Sequence, residues 1–378
     1  MKTYGIGIVG AGNISSAYLR LAPTFKGLQV RAIADISAEA AGLRGIEFGV
    51  VAMSVDELLG HPDIDVVVNL TIPSAHFGVS MRAIEAGKHV YSEKPFVLSL
   101  EEGEALKAAA ESRGLQVGSA PDTFLGGAHQ QARSIIDGGA LGTVSSGTCH
   151  VMSPGMEDWH PNPDFFFQPG AGPILDLGPY YITNLIHLLG PIRKVAAFTS
   201  VGRRERTVTA PGPMNGTIIK VGTPTTIHGV LEFVSDAIIS IGASWDVKAH
   251  GHHNMELYGT EGSLFVPDPN YFGGKLEAAF GADARAPVEA WAHPFGAPNQ
   301  DLETASPIAN YRTVGLADMV AAIEDKRPAR CGLDVALHAV DVMTALLASG
   351  ESGEVKILTT TCRRPSALTP ELAAALLA

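Results

Sequence analysis

The sequence predicts an α/β Rossmann dinucleotide-binding domain over residues 1–123, followed by an α+β domain over residues 124–378 with a large, mainly antiparallel open sheet. Three observations carry that reading. Up to Ser119, short β-branched runs alternate with longer helical patterns, the signature of βαβ units around a parallel sheet. The first of these runs ends in a glycine-rich turn that opens a helix. Beyond Phe124 the rhythm changes to strand-like runs in close succession, as antiparallel neighbours joined by turns produce.

In the first domain, strands are expected near residues 4–9, 29–34, 65–70, 89–92 and 115–119, with helices at 14–23, 54–59, 75–86 and 100–112. Val66, Val67 and Val68 show no polar alternation, as expected of a strand covered on both faces. Ser99 followed by Glu102 reads as a capping box. The second domain reads as a helix to about residue 137, a strand at 144–152, a Pro/Gly/aromatic loop at 153–172, and several strands between 194 and 265. An irregular surface segment is expected at 280–308. Helical patterns return at 311–324 and 335–347, free to pack back on the first domain.

Composition narrows the function. A chain of 378 residues with 46% hydrophobic content exceeds what one core usually holds, hence two domains. Its 39 acidic and 27 basic residues leave a net charge of -12, with no Lys/Arg block to neutralise successive phosphates, so no nucleic-acid partner is expected. Cys149, Cys331 and Cys362 are too scattered for a disulfide framework or a C-x-x-C pair. With no export signal in the opening residues, a cytoplasmic location is expected. The apolar stretch 173–192 contains Asp176, Gly178, Pro179, Asn184 and His187, which fits a cleft-lining helix better than a membrane span, and no membrane partner is expected.

The turn Gly10-Ala11-Gly12-Asn13-Ile14-Ser15 is a G-x-G-x-x-G pattern with serine at the third glycine. The first glycine allows the tight bend, and the second lets backbone approach a pyrophosphate; the third only eases packing. Gly10, Gly12, Asn13 and Ile14 are therefore candidate cofactor contacts. Asp35, about 20 residues on at the end of the second strand, can accept hydrogen bonds from ribose hydroxyls. It would repel a 2′-phosphate that neither Ile36 nor Ser37 could offset, so NAD is expected and NADP is less favoured.

Two further motifs bear on chemistry. Thr71-Ile72-Pro73-Ser74-Ala75-His76 follows one strand and Glu93-Lys94-Pro95 ends the next. Gly170-Ala171-Gly172 leads into Asp176-Leu177-Gly178-Pro179-Tyr180, where a helix would put Asp176 and Tyr180 on one face with Asn184 a turn further. These motifs closely resemble those of the glucose-fructose oxidoreductase, inositol dehydrogenase and MocA (Gfo/Idh/MocA) superfamily over nearly the whole chain. Tyrosine at 180 resembles the branches that use it in place of histidine.

The resemblance implies an NAD-dependent oxidoreductase moving hydride between a sugar, cyclitol or related polyol and the nicotinamide, without a metal. It assigns Lys94 to the substrate oxygen and places Thr71, Pro73, His76, Glu93 and Lys94 beside the cofactor, with a cis peptide before Pro95. A phenol with a pKa near ~10 needs a neighbouring cation to act as a base. We expect Lys94 to be that cation, Tyr180 the proton acceptor and Asp176 the orienting group. Candidate substrate contacts are Asp122, Trp159, His160 and Asn184. His250, His252 and His253 are read as no metal site, because strand alternation would part His252 from His253. A homodimer or homotetramer formed through the outer face of the second sheet is implied by the resemblance. An NAD-recycling glycosidase and a non-catalytic dinucleotide sensor share the fold and remain the alternatives.

Overall fold

The computed structural model describes residues 2–301 and 306–378. Its first sheet contains β1 (Tyr4–Val9), β2 (Leu28–Ala34), β3 (Val51–Met53), β4 (Val66–Asn69), β5 (His89–Ser92) and β6 (Val117–Ser119). All neighbours are parallel, in the order β3-β2-β1-β4-β5-β6. The connecting helices are α1 (Ser15–Leu21), α2 (Ala38–Phe48), α3 (Val55–Gly60), α4 (Pro73–Glu85) and α5 (Leu100–Glu111). Strand order reverses between β1 and β4, which opens a crevice at their carboxyl ends, where ligands bind in doubly wound sheets.

The valine run of β4 is fully buried, as its lack of alternation predicts. The pair α2 and β3 was not foreseen. α2 buries only Ala41 and Gly45 and is bounded by its caps, Ser37 and the left-handed Gly49, while β3 is a three-residue edge strand with Val51 exposed. Apolar periodicity has little to register in either. The capping box lies at Ser54 and Glu57. At Ser99 only half of it forms: Glu102 N–H donates to Ser99 Oγ at 3.2 Å, but the Glu102 carboxylate accepts from Leu98 N–H instead.

After α6 (Gly127–Asp137), the second sheet begins with β7 (Val144–Met152). Then come α7 (Pro173–Asp176), α8 (Gly178–Leu189), β8 (Ile192–Ser200) and a small ribbon of β9 (Glu205–Thr207) and β10 (Ile218–Lys220). The sheet continues through β11 (Thr226–Phe233), β12 (Ile238–Ser244), β13 (Met255–Gly259), β14 (Gly262–Val266), β15 (Glu277–Phe280), β16 (Ala286–Pro287) and the late strand β17 (Lys356–Ile357). Its order is β16-β15-β14-β13-β7-β12-β11-β8-β17, antiparallel except where β7 meets β12. Inward residues Ile227, Leu231, Ile239, Ile241 and Leu257 share one core with Ile182, Leu185 and Ile186 of α8.

The chain then returns to the first sheet through α9 (Val314–Asp325), α10 (Leu333–Ser352) and α11 (Pro370–Leu376). Ser119 N–H donates to Cys331 O and Lys26 N–H to Leu376 O, both at 2.9 Å, and Leu316, Met319 and Val320 of α9 pack with Ile6, Ile8 and Val68. α10 is long and apolar enough to cross a membrane, but it buries Val340, Val342, Met343 and Leu346 in the common core. The segment 280–308, of which 302–305 lie outside the described residues, is less superficial than expected. Phe295 is fully buried against Phe25 and Tyr311. His252 and His253 lie in the loop between β12 and β13, outside any strand, where His252 stacks on His150 and His253 meets Arg285.

Candidate active site

The glycine turn fits a pyrophosphate cradle. Gly10 has φ 112°, and a Cβ there would stand 2.5 Å from Leu70 O, so strain and space both exclude a side chain. Gly12 is open, with nothing within 4 Å of a Cβ position. The departure at Ser15 is absorbed inside: its side chain is buried and its hydroxyl donates to Gly12 O at 2.6 Å. Asp35 accepts from Ala11 N–H at 2.7 Å and Ser37 N–H at 2.8 Å, which fixes the carboxylate beside the turn, and Ile36 is fully exposed. These groups suit an adenosine ribose and pyrophosphate.

Lys94 leaves the end of β5 through a cis peptide to Pro95, as anticipated. Its Nζ donates to Asp176 Oδ1 at 2.7 Å and Asp176 O at 2.9 Å, and lies 5.4 Å from the centre of the Tyr180 ring. Burial opposes the ammonium charge, yet Asp176, Tyr180 and Glu93 together hold the Lys94 pKa above the usual lysine value. This lysine stays charged and is a donor, not a base. Tyr180 is buried; burial pushes its phenol up, and Lys94 and Arg312 pull it back without cancelling the rise. The Lys94 charge thus favours the phenolate, but alone it does not bring the phenol into the range of a neutral-pH base.

Two connected cavities, of about 760 and 290 Å³, share Ile14, Lys94, Phe166, Asp176 and Tyr180. The smaller reaches Thr71, Pro73 and Glu93 beside the glycine turn; the larger is walled by Trp159, Asn270, Asn310 and Arg312. Glu93 is tied in place by Tyr18, whose hydroxyl donates to it at 3.1 Å.

Four anticipated contacts are displaced. His76 is fully buried, and its Nδ1 and Nε2 lie 2.7 and 2.9 Å from Pro95 O and Thr71 O, so it clamps the two cofactor-side loops together from beneath. The helix carrying Asp176 and Tyr180 breaks at Leu177 into α7 and α8. Each turn of α8 advances 5.4 Å into the core, so Asn184 is fully buried and bonds His129 instead of facing the cleft. Asp122 is only 2% exposed, and one carboxylate oxygen accepts from Thr313 N–H at 2.9 Å and Gly315 N–H at 3.0 Å. It caps α9. His160 packs edge-on against Trp159, Phe165 and Phe166, supporting the loop whose Trp159 does reach the cavity.

Sequence reasoning missed Arg312. Its Nη2 donates to Asn270 O and Oδ1 at 3.2 and 3.1 Å, its Nη1 to Asn310 Oδ1 at 3.3 Å, and the residue lines the same cavity as Tyr180. The polar run Asn310-Tyr311-Arg312 before an apolar helix was the available signal.

A doubly wound sheet with a glycine turn at its switch point, facing a lysine, a carboxylate and a tyrosine, defines a nicotinamide-dependent oxidoreductase class. Comparison with known proteins agrees. Residues 4–120 match the oxidoreductase family with an NAD-binding Rossmann fold, and residues 129–265 match the GFO/IDH/MocA C-terminal domain. The chain belongs to the GFO/IDH/MocA family of NAD-binding oxidoreductases.

Among its relatives is the 1,5-anhydro-D-fructose reductase of Ensifer adhaerens, 28% identical over 265 residues, covering 68% of this chain and 74% of that one. The levoglucosan dehydrogenase of Pseudarthrobacter phenanthrenivorans is 28% identical over 331 residues, covering 78% and 83%. The same fold occurs in an NAD binding oxidoreductase from Klebsiella pneumoniae, with TM-score 0.80, 23% identity and coverage of 95% and 99%. It occurs too in levoglucosan dehydrogenase complexed with NADH, with TM-score 0.79, 22% identity and coverage of 95% and 100%.

Proposed function

We propose that the chain catalyses the reversible NAD-dependent oxidation of a secondary or anomeric hydroxyl in a sugar, cyclitol or related polyol. The observation that carries this reading is the convergence of the Lys94 ammonium and Tyr180 where the cofactor-side and polar cavities join. The names of the two relatives, one a reductase of an anhydrosugar and the other a dehydrogenase of levoglucosan, support it. So does the wall of the larger cavity, where Trp159 and Phe166 offer apolar faces to a sugar ring and Asn270 and Asn310 offer hydrogen bonds to its hydroxyls.

Gly10, Gly12, Asn13 and Ile14 would hold the pyrophosphate, Asp35 the ribose, and Thr71, Pro73 and Glu93 the nicotinamide half. NAD, when bound, supplies the carbon that accepts the hydride. Lys94 has two ammonium donors committed to Asp176, and its third can reach the substrate oxygen and stabilise its growing negative charge. Tyr180 takes the hydroxyl proton as the carbinol C–H pair departs as hydride, and a carbonyl remains. Asp176 keeps Lys94 charged and aimed. The exposed Phe198, Val230, Ile238 and Ile357 on the outer face of the second sheet support a homo-oligomer, and the three buried free cysteines fit a cytoplasmic location.

Tyr180→Phe tests the proton step. Removing a positioned base is expected to lower kcat for polyol oxidation by about 10² to 10⁴-fold. Because the phenol sits above its ordinary value, oxidation by the parent should accelerate as pH rises, and the variant should lose that dependence. A variant with the parent's rate and pH profile excludes Tyr180 from the chemistry.

The cofactor assignment has its own test. Asp35→Ser combined with Ile36→Arg should shift binding toward NADP by about 10²-fold in the ratio of dissociation constants, by removing a repelling charge and adding a bidentate phosphate donor. An unchanged ratio would place the ribose elsewhere.

A further inference from the structure

Lys94, Arg312 and Tyr180 line one cavity. The Lys94 ammonium lies over the ring and is committed to Asp176; the Arg312 charge favours the ionised phenol. No carboxylate among the described residues forms an ion pair with Arg312. Its three hydrogen bonds to Asn270 and Asn310 go to uncharged amide and carbonyl oxygens, so its charge is left for the cleft.

The way Arg312 is held is unusual. Thr313, the next residue, has φ 111° and ψ -17°, a strained conformation that β-branched residues rarely adopt. Its hydroxyl is buried without a partner. Asp122, at the end of the first sheet, holds this strained residue by accepting both the Thr313 and Gly315 N–H groups on one oxygen. The fit is close: a Cβ at Gly315 would collide with the Tyr91 hydroxyl and stand 2.8 Å from Asp122 Cβ. Strain of this kind persists where the surroundings over-determine it, and here it aims a cation into the cleft.

We propose that Arg312 is a further charged member of the proton-transfer site: the cation that carries the negative charge of Tyr180 before the substrate proton arrives, positioned from the first domain by Asp122. This rests on the reading that Tyr180 receives that proton. The balance is simple. The phenolate accepts the proton as the substrate O–H bond breaks, the hydride pair goes to the nicotinamide, and the phenol later returns its proton to solvent. Arg312 contributes charge and no atoms. The charged groups facing Tyr180 are Lys94, Arg312, Glu93 and Asp176, and those facing Arg312 are Tyr180, Asp122 and Glu93. Around Asp122 stand Arg312, Glu93, Tyr18, Tyr91 and Cys331. Burial pushes Asp122 up to about 6 against the two N–H donors and Arg312, so the clasp is fully charged only above that pH.

The test needs no substrate. In the full-length chain labelled with carbon-13 at tyrosine Cζ, the Tyr180 resonance is identified by its loss in Tyr180→Phe and titrated with pH. In Arg312→Gln its midpoint should rise by about 1 to 2 units, or pass out of the range in which the fold survives, and Arg312→Lys should give a smaller rise. Asp122→Ala should raise the midpoint too, whereas Asp122→Asn, whose amide oxygen can still accept both N–H groups, should stay near the parent. A parent-like midpoint in folded Arg312→Gln overturns the proposal. If that variant does not fold, parent-like midpoints in both Arg312→Lys and Asp122→Ala overturn it equally. Turnover of Tyr180→Phe decides separately whether the underlying reading of Tyr180 stands.

Discussion

Replacing Lys94 by alanine is expected to lower kcat for polyol oxidation by about 10³-fold while NAD affinity stays within a few-fold of the parent. Lys94 is the cation among the residues that both cavities share, and it remains charged throughout the neutral range because Asp176, Tyr180 and Glu93 outweigh its burial. An alkoxide developing beside it gains a charge-assisted hydrogen bond in a partly dehydrated site, and a preorganised donor of this kind contributes several kcal/mol to the transition state. On the proposed reading NAD is held by the turn at Gly10 and Gly12 and by Asp35, none of which bonds the Lys94 ammonium. Steady-state kinetics with a fluorescence titration of NAD separates the two effects. Loss of NAD affinity in proportion to kcat would mean that Lys94 holds the cofactor and leaves the substrate oxygen alone.

The second large effect is expected at Asp176. In Asp176→Ala the ammonium keeps the backbone carbonyl at 2.9 Å but loses the carboxylate, so burial, the largest influence on Lys94, acts against a weaker opposition. Its pKa should fall. The sign follows: a lysine must be protonated to donate, so the rise of activity with pH that Tyr180 imposes should be cut off in the variant as pH passes the lowered Lys94 value, where the parent keeps Lys94 charged. Stability should drop by about 2 kcal/mol, less than for a fully buried pair, because both side chains retain nearly a fifth of their exposure, 17% and 20%. In the parent the raised lysine pKa contributes stability that is fully present below the unfolded value and is lost as pH rises through the folded one. The variant should therefore differ most from the parent at neutral pH and converge with it in strong alkali. Urea denaturation at several pH values, run beside the kcat profile, checks both. A parent-like profile would show that Asp176 neither charges nor aims Lys94.

Much of this site was legible in the sequence because its parts are local. The glycine turn, Asp35 and the Glu93-Lys94-Pro95 triplet all lie at carboxyl ends of parallel strands, and a βαβ rhythm is enough to bring such ends together. Asp176 and Tyr180 were legible through their spacing. What failed was depth. Spacing places Asn184 on the same helical face but cannot tell that α8 runs inward, so that one turn carries it from cleft to core. His76 and Asp122 occupy the expected loops, yet their side chains turn beneath them to satisfy backbone groups of other segments. Arg312 is the converse case. It enters the cleft only because the chain returns to the first sheet after the second domain is built, and the local pattern at 310–324 suggests a helix that packs back without saying which of its residues reaches the cleft.

The measurement that tests the central claim most directly is NADH formation by the purified chain across free sugars, anhydrosugars and cyclitols, with NAD and NADP run in parallel. The account predicts reduction of NAD in preference to NADP, confined to one class of polyol and absent in Lys94→Ala. Protein that binds NAD yet reduces it with none of these polyols would contradict it, and would leave the fold serving a reaction without net oxidation or a sensing role.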